Sequence, residues 1–253
     1  MISPNGIQAV FFDLDGTLRY NDPSPEKIFL DYVAQLGVPD SPEQRRRVMR
    51  WVHYYWAQSE ELLQDRKTYL HSEADFWRNY TRSQLMAFEC PPDLLDKVLP
   101  PIFSYMSDQY KPQDRLLAGV PETLQALKEA GFRLGVVSNR IHPYQDQLER
   151  LELDGYFDLV VAAGEVQSWK PDPGIFIHSL QRLDLGAEET VYVGDNYYAD
   201  VVGARGAGLL PVLLDPEGLF PDAGCPVLES IPDLLVLLEE HQPEPGGYTR
   251  SNS

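Results

Sequence analysis

The sequence predicts an α/β protein built on a doubly wound parallel sheet, with an all-helical segment inserted after the first strand. Three observations predict it. Residues 10–18 read VFFDLDGTL, an apolar run of the kind buried on both faces of a sheet, closed by two aspartates and a glycine. From residue 113 onward, short apolar runs alternate with amphipathic stretches, the pattern of strands joined by helical crossovers. Between these, residues 21–112 carry only helical signals.

The elements follow in order. After the first strand, RYNDPSP is a polar, proline-bearing hinge. Ser24-Pro25 supplies an N-cap and an N1 proline, apolar positions follow at Ile28, Phe29, Tyr32, Val33 and Leu36, and Gly37 ends that helix. Ser41-Pro42 opens a second helix with Gln44 placed for a capping box, and Ser72 with Asp75 opens a third. Prolines at 91–92, 100–101 and 112 divide the rest into shorter segments before a second hinge, YKPQDR. Helices are then expected over 121–130, 143–151, 172–183, 199–204 and 231–240, and strands over 132–137, 157–162, 190–193 and 209–214. The domain boundaries that result are 1–20 and 113–242 for the two parts of the core and 21–112 for the insert. A Pro-, Gly- and Ser-rich tail at 243–253 is expected to be disordered.

Composition narrows the function. The 253 residues carry a formal net charge of −18, which argues against nucleic acid or an anionic membrane as partner. An anionic substrate would need local cations to offset that field. Cys90 and Cys225 are far apart and lack CxxC partners, so free thiols are expected rather than a disulfide or zinc site. No signal peptide and no membrane-spanning run is visible, and a cytoplasmic protein is expected. Arg45-Arg46-Arg47 reads as a solvated helix face, and the insert's rings, Trp51, Trp56 and Trp77 among them, as packing for a helical bundle. His142 and His178, although they flank the motif regions, are not expected to act in catalysis.

The chemistry lies at the strand ends. In a doubly wound sheet, ligands bind beyond the carboxyl ends of the strands. Asp13 and Asp15 follow the first strand, and residues i and i+2 of an extended chain face the same way. Two like charges that close require a metal ion, a shared proton or a nearby cation. Ser138 and Asn139 follow the strand at 132–137, Lys170-Pro171 lies in the loop after the next, and Gly194-Asp195-Asn196 with Asp200 follows the strand at 190–193. A hydroxyl, a lysine and several carboxylates thus share one edge of the sheet.

The ordered set DxDGT, SN, KP and GDxxxxD resembles the four motifs of the haloacid dehalogenase (HAD) superfamily, and the helical insert is similar to its C1-type cap. The resemblance covers the whole core and implies a Rossmann-like fold and a Mg²⁺-dependent phosphatase. It implies that Asp13 is the nucleophile, forming an aspartyl-phosphate, and that Asp15 is the acid/base. It further implies that Mg²⁺ is held by the Asp13 carboxylate, the Asp15 backbone carbonyl and the Asp195 carboxylate, while Asp200 orients neighbours or a metal-bound water. Ser138, backbone amides near Asn139, and Lys170 would bind the phosphoryl oxygens. Asp15 favours phosphate esters, because dehalogenases of this superfamily lack an acid/base aspartate at that position. Phosphoglycolate, sugar phosphates and nucleoside monophosphates are candidate substrates. The alternatives are a mutase resembling β-phosphoglucomutase and, third, a non-catalytic binding module. Either a monomer or a homodimer is compatible with the sequence.

Overall fold

The computed structural model describes residues 6–239, so the tail expected to be disordered lies outside the described residues. Its elements, in chain order, are β1 Ala9–Phe12, β2 Arg19–Asp22, α1 Pro25–Gln35, α2 Pro42–Trp56, α3 Glu60–Thr68, α4 Glu73–Ala87 and α5 Pro92–Ser104. They continue with β3 Gln113–Leu116, α6 Val120–Glu129, β4 Arg133–Ser138, α7 Gln145–Arg150, β5 Leu159–Ala162, α8 Ala163–Val166, α9 Gly174–Leu183 and β6 Thr190–Gly194. The last are α10 Val202–Gly206, β7 Leu210–Leu214, β8 Val227–Leu228 and α11 Asp233–Glu239.

Six strands form a parallel sheet in the order β5-β4-β1-β6-β7-β8. β1 is fully buried and lies between β4 and β6, as its unbroken apolar run requires. Its side chains alternate between the two faces. Val10 and Phe12 enter a core with Leu124, Leu134 and Val136, while Ala9 and Phe11 enter a second with Ile175, Phe176 and Tyr192. From β1 the chain builds outward through β4 and β5 on one side, then through β6 to β8 on the other. The topological switch point therefore falls at the carboxyl end of β1, where Asp13 stands.

The helical segment between β2 and β3 has its own core, drawn from Phe29, Val33, Val48, Leu85, Phe88, Val98, Leu99 and Ile102. Ser24, Ser41 and Ser72 cap their helices as the sequence indicates, accepting from the backbone N–H of Lys27, Gln44 and Asp75. Gln44 completes no box, because its side-chain amide donates to the Phe88 carbonyl at the end of α4 (3.1 Å). The two polar hinges are strands: β2 and β3 pair antiparallel, Arg19 opposite Leu116 and Asp22 opposite Gln113. α5 runs through Pro100 and Pro101 instead of breaking, held by the buried Leu95, Val98, Leu99 and Ile102. The arginine run is paired at the surface, Arg45 with Asp40, Arg46 with Glu43 and Arg47 with Glu89. Both cysteines are free, and no helix among the described residues is long and apolar enough to cross a membrane.

α2 fastens the helical segment to the sheet domain. The Asn196 amide donates to the His53 carbonyl (2.9 Å), Arg50 Nε donates to the Leu219 carbonyl (2.6 Å), and the His53 ring meets Phe220 edge-on. Burial lowers the His53 pKa to about 4 despite the opposing pull of Asp200 and Asp215. Above about pH 6.5 the imidazole is neutral in both folded and unfolded chains, so it adds no pH dependence. As pH falls from about 6.5 through about 4, the unfolded state takes the proton first and stability drops, by on the order of 3 kcal/mol. Urea unfolding between pH 7 and pH 4 should show this component, and His53→Gln should remove it.

Candidate active site

Each site residue is placed by a strand end. The Asp13 backbone N–H continues the ladder of β1, donating to the Val193 carbonyl (2.9 Å), so its side chain starts from the centre of the sheet. Gly16 turns the chain with φ +89°, and a Cβ there would lie 2.3 Å from Asp195 Oδ2. Glycine at 16 therefore serves both the turn and the close approach of Asp195. Thr17 Oγ1 donates to Asp195 Oδ1 (3.1 Å). At the end of β6, a Cβ on Gly194 would collide with the Asp200 carboxyl, which is fixed there by the Asn196 backbone N–H (2.9 Å).

Lys170 is the centre of the arrangement. Its side chain is 2% exposed, and its ammonium donates to Asp13 Oδ1 (2.7 Å), Asp200 Oδ1 (2.7 Å), the Tyr192 hydroxyl (2.9 Å) and the Val137 carbonyl (3.2 Å). Burial alone would discharge a lysine, but Asp13 and Asp200 overcome it and hold the ammonium charged. The loop that carries Lys170 is tied to the end of β4 by Asn139, whose amide donates to the Lys170 carbonyl (2.8 Å) and accepts from the Lys170 N–H (2.6 Å). The Asn139 side chain is thus spent on positioning Lys170, which leaves only its backbone for a phosphoryl group. Ser138, 2% exposed, closes β4 directly before Asn139.

Asp13, Asp195 and Asp200 place carboxylate oxygens within 4.8 Å of one another. Three carboxylates against one ammonium leave a formal excess of two negative charges, which one divalent cation would cancel. Burial raises the Asp13 pKa against the pull of Lys170, with Asp200 and Asp15 adding to the rise. Burial followed by Asp13 and Asp200 raises that of Asp195. The protein alone undercompensates these carboxylates, and an all-oxygen donor set of this kind suits a hard cation such as Mg²⁺.

Asp15 is held apart from that cluster. Arg19 Nη1 donates to its Oδ1 (2.6 Å), and Arg140 grips both oxygens, Nε to Oδ2 and Nη2 to Oδ1 (2.8 Å each). Arg140 also donates to Gln147, Gln147 donates to Asp114 (2.6 Å), and Arg19 donates to Asp114, closing a ring of side chains around Asp15. Burial pushes the Asp15 carboxyl up, but the bonds and charges of Arg140 and Arg19 outweigh it and hold the pKa below its ordinary value. Arg140 follows the Ser-Asn pair directly, and that adjacency was the only signal for it in the sequence. Asp114 and Gln147 left no signal. His142 is exposed.

A family model described as haloacid dehalogenase-like hydrolase matches residues 7–208. The chain belongs to the haloacid dehalogenase-like hydrolases. A glyceraldehyde 3-phosphate phosphatase from Methanothermobacter thermautotrophicus is 30% identical to this hydrolase over 218 residues, covering 83% of this chain and 87% of its own. A pyrophosphatase PpaX from Bacillus mycoides is 31% identical over 192 residues, covering 68% of this chain and 87% of its own. Among solved structures, a predicted phosphoglycolate phosphatase from Haemophilus somnus 129pt superposes with a TM-score of 0.58 at 21% identity. It is matched over 91% of this chain and 97% of that one, and shares the fold. The enzyme is thus a haloacid dehalogenase-like hydrolase with phosphatases among its relatives.

Proposed function

We propose that this hydrolase is a Mg²⁺-dependent phosphatase that cleaves a phosphate monoester through an aspartyl-phosphate on Asp13. The supporting observation is the contact of Lys170 with both Asp13 and Asp200, beside Asp195, at the switch point of the sheet. Asp13 Oδ1 is fixed by the ammonium, which leaves its other oxygen to attack phosphorus. The Asp13 O–P bond forms as the ester P–O bond breaks; Asp15, ionised in the free site, takes up a proton as the anionic ester binds and passes it to the leaving oxygen. Asp15 then removes a proton from the water that attacks the aspartyl-phosphate, releasing inorganic phosphate and restoring Asp13. Ser138 and Lys170 bind phosphoryl oxygens. Asp13, Asp195 and the Asp15 carbonyl would hold Mg²⁺, with Asp200 positioned through Lys170. The ion would supply charge neutralisation for the phosphoryl group. The helical segment, with the strand pair β2–β3 as its two connections, acts as the cap over this site.

Turnover of p-nitrophenyl phosphate should require added Mg²⁺ and disappear with EDTA. Activity that survives exhaustive chelation would contradict the metal requirement. Arg140 sets the charge state of Asp15, so Arg140→Gln raises the Asp15 pKa. Hydrolysis of the phospho-enzyme requires ionised Asp15 and therefore falls off on the acid side. In Arg140→Gln that acid limb should move to higher pH, read from the pH profile of the single-turnover hydrolysis rate.

A further inference from the structure

The helical segment encloses a cavity of about 820 Å³ that meets the active site at Asp15 and Arg19. Its walls include Phe29, Trp56, Trp77, Tyr80, Phe103 and Tyr110. Trp56 and Trp77 are tilted at 46° to one another with ring centroids 5.9 Å apart, and each lies within 5.7 Å of Tyr80. Trp51 and Tyr55 stand behind this wall, outside the cavity lining, and pack on Tyr80 and, for Tyr55, on Trp56.

The charges on the wall are as informative as the rings. Glu26 and Glu73 line the cavity, and the cation there is Arg19. Its Nη1 is committed to Asp15, and its Nη2 to Asp114 and Asn21. Among the described residues no lysine or histidine lines the cavity. A carboxylate or second phosphate entering it would lose its hydration and meet two glutamates, opposite an Arg19 whose charge is already shared by Asp15 and Asp114 and whose Nε–H alone is unpartnered. Asp15 gives its proton to the leaving oxygen, so the leaving group projects from Asp15 into this space. A glycolate or a second phosphoryl group would fill only a small part of a volume that suits a far larger ligand.

On the phosphatase reading given above, we propose that the preferred substrate is the phosphate ester of an uncharged alcohol bearing a flat aromatic or heteroaromatic group, seated against Trp56, Trp77 and Tyr80. The cavity selects against esters with a second anionic group, and against the bisphosphate that a mutase would need as activator. Ring stacking supplies affinity without reading a hydrogen-bond pattern.

The test compares kcat/KM, with Mg²⁺, for 2-(indol-3-yl)ethyl phosphate, glycerol 3-phosphate, 3-phosphoglycerate and pyrophosphate. The first two are esters of alkyl alcohols, so leaving-group acidity does not favour the aromatic one. The indolylethyl ester should exceed glycerol 3-phosphate at least tenfold and 3-phosphoglycerate at least a hundredfold. Trp77 is 41% exposed, so Trp77→Ala should fold, and the ratio of indolylethyl to glycerol ester should fall at least tenfold in it. Independently, Glu26→Gln/Glu73→Gln should raise kcat/KM for 3-phosphoglycerate relative to glycerol 3-phosphate. Glycerol 3-phosphate or an anionic substrate turned over as well as the indolylethyl ester would overturn the inference and leave the phosphatase reading standing. So would a ratio unchanged by Trp77→Ala. No phosphate release from any ester, p-nitrophenyl phosphate included, would overturn the phosphatase reading itself.

Discussion

Asp13→Asn is expected to lower kcat by at least about 10⁴-fold, on the scale seen when a covalent nucleophile is removed. The amide that replaces the carboxylate is isosteric and still reaches Lys170, but it cannot form an acyl phosphate. Loss of the fold would not explain the result. Asp13 sits among Asp195 and Asp200, and burial with like charge already raises its pKa. Removing that charge relieves repulsion, so thermal unfolding of metal-free Asp13→Asn should occur at or above the wild-type temperature. Inactivity with an intact or more stable fold marks a chemical role.

Lys170→Met is expected to damage both stability and activity. The ammonium is buried, and its salt bridges to Asp13 and Asp200 are each 2.7 Å long. Deleting it leaves two buried carboxylates without their cation, at a cost of about 3–5 kcal/mol. Activity should fall by roughly 10²–10³-fold through loss of a preorganised charge on the phosphoryl group and on Asp13. Asp200→Asn added to Lys170→Met should recover much of the stability, since one orphaned charge is gone, and none of the activity. Such a double-variant cycle separates the electrostatic support of the fold from the chemistry. Urea midpoints and steady-state rates on p-nitrophenyl phosphate read the two quantities.

The sheet and the address of the site were legible because their signals are local and additive. A buried strand reads as VFF, a strand end reads as Asp-x-Asp-Gly, and helical crossovers force the parallel order that brings separate strand ends together. Asp13, Lys170 and Asp195 converge on one edge of the sheet for that reason. Signals that were weak or compensated misled. Glu60–Thr68 is a helix capped by Ser59, yet its short polar sequence has too little apolar stripe to announce itself. The two-residue strand Val227–Leu228 is too short for any alternation. Two polar hinges hid a strand pair, because an exposed two-stranded ribbon carries charged residues such as Asp22, Asp114 and Arg115 where a buried strand would carry apolar ones.

Side-chain partners were the least legible part. Asn139 stands beside Ser138 in sequence, and only the folded loop shows its amide engaged with the backbone of Lys170. Asp15 is two residues from Asp13, yet Arg140, far along the chain, sets its charge state. Spacing says which residues share an edge of the sheet. It does not say which of them are already committed to one another.

The covalent role of Asp13 is tested most directly by trapping. Enzyme loaded with Mg²⁺ and excess p-nitrophenyl phosphate is quenched in acid within the first turnover, digested, and mapped by mass spectrometry. The account predicts a phosphoryl adduct on the peptide that carries Asp13, formed no more slowly than nitrophenol is released and absent from Asp13→Asn. Release of nitrophenol and phosphate at full rate with no adduct at Asp13, or an adduct on another residue, would contradict it.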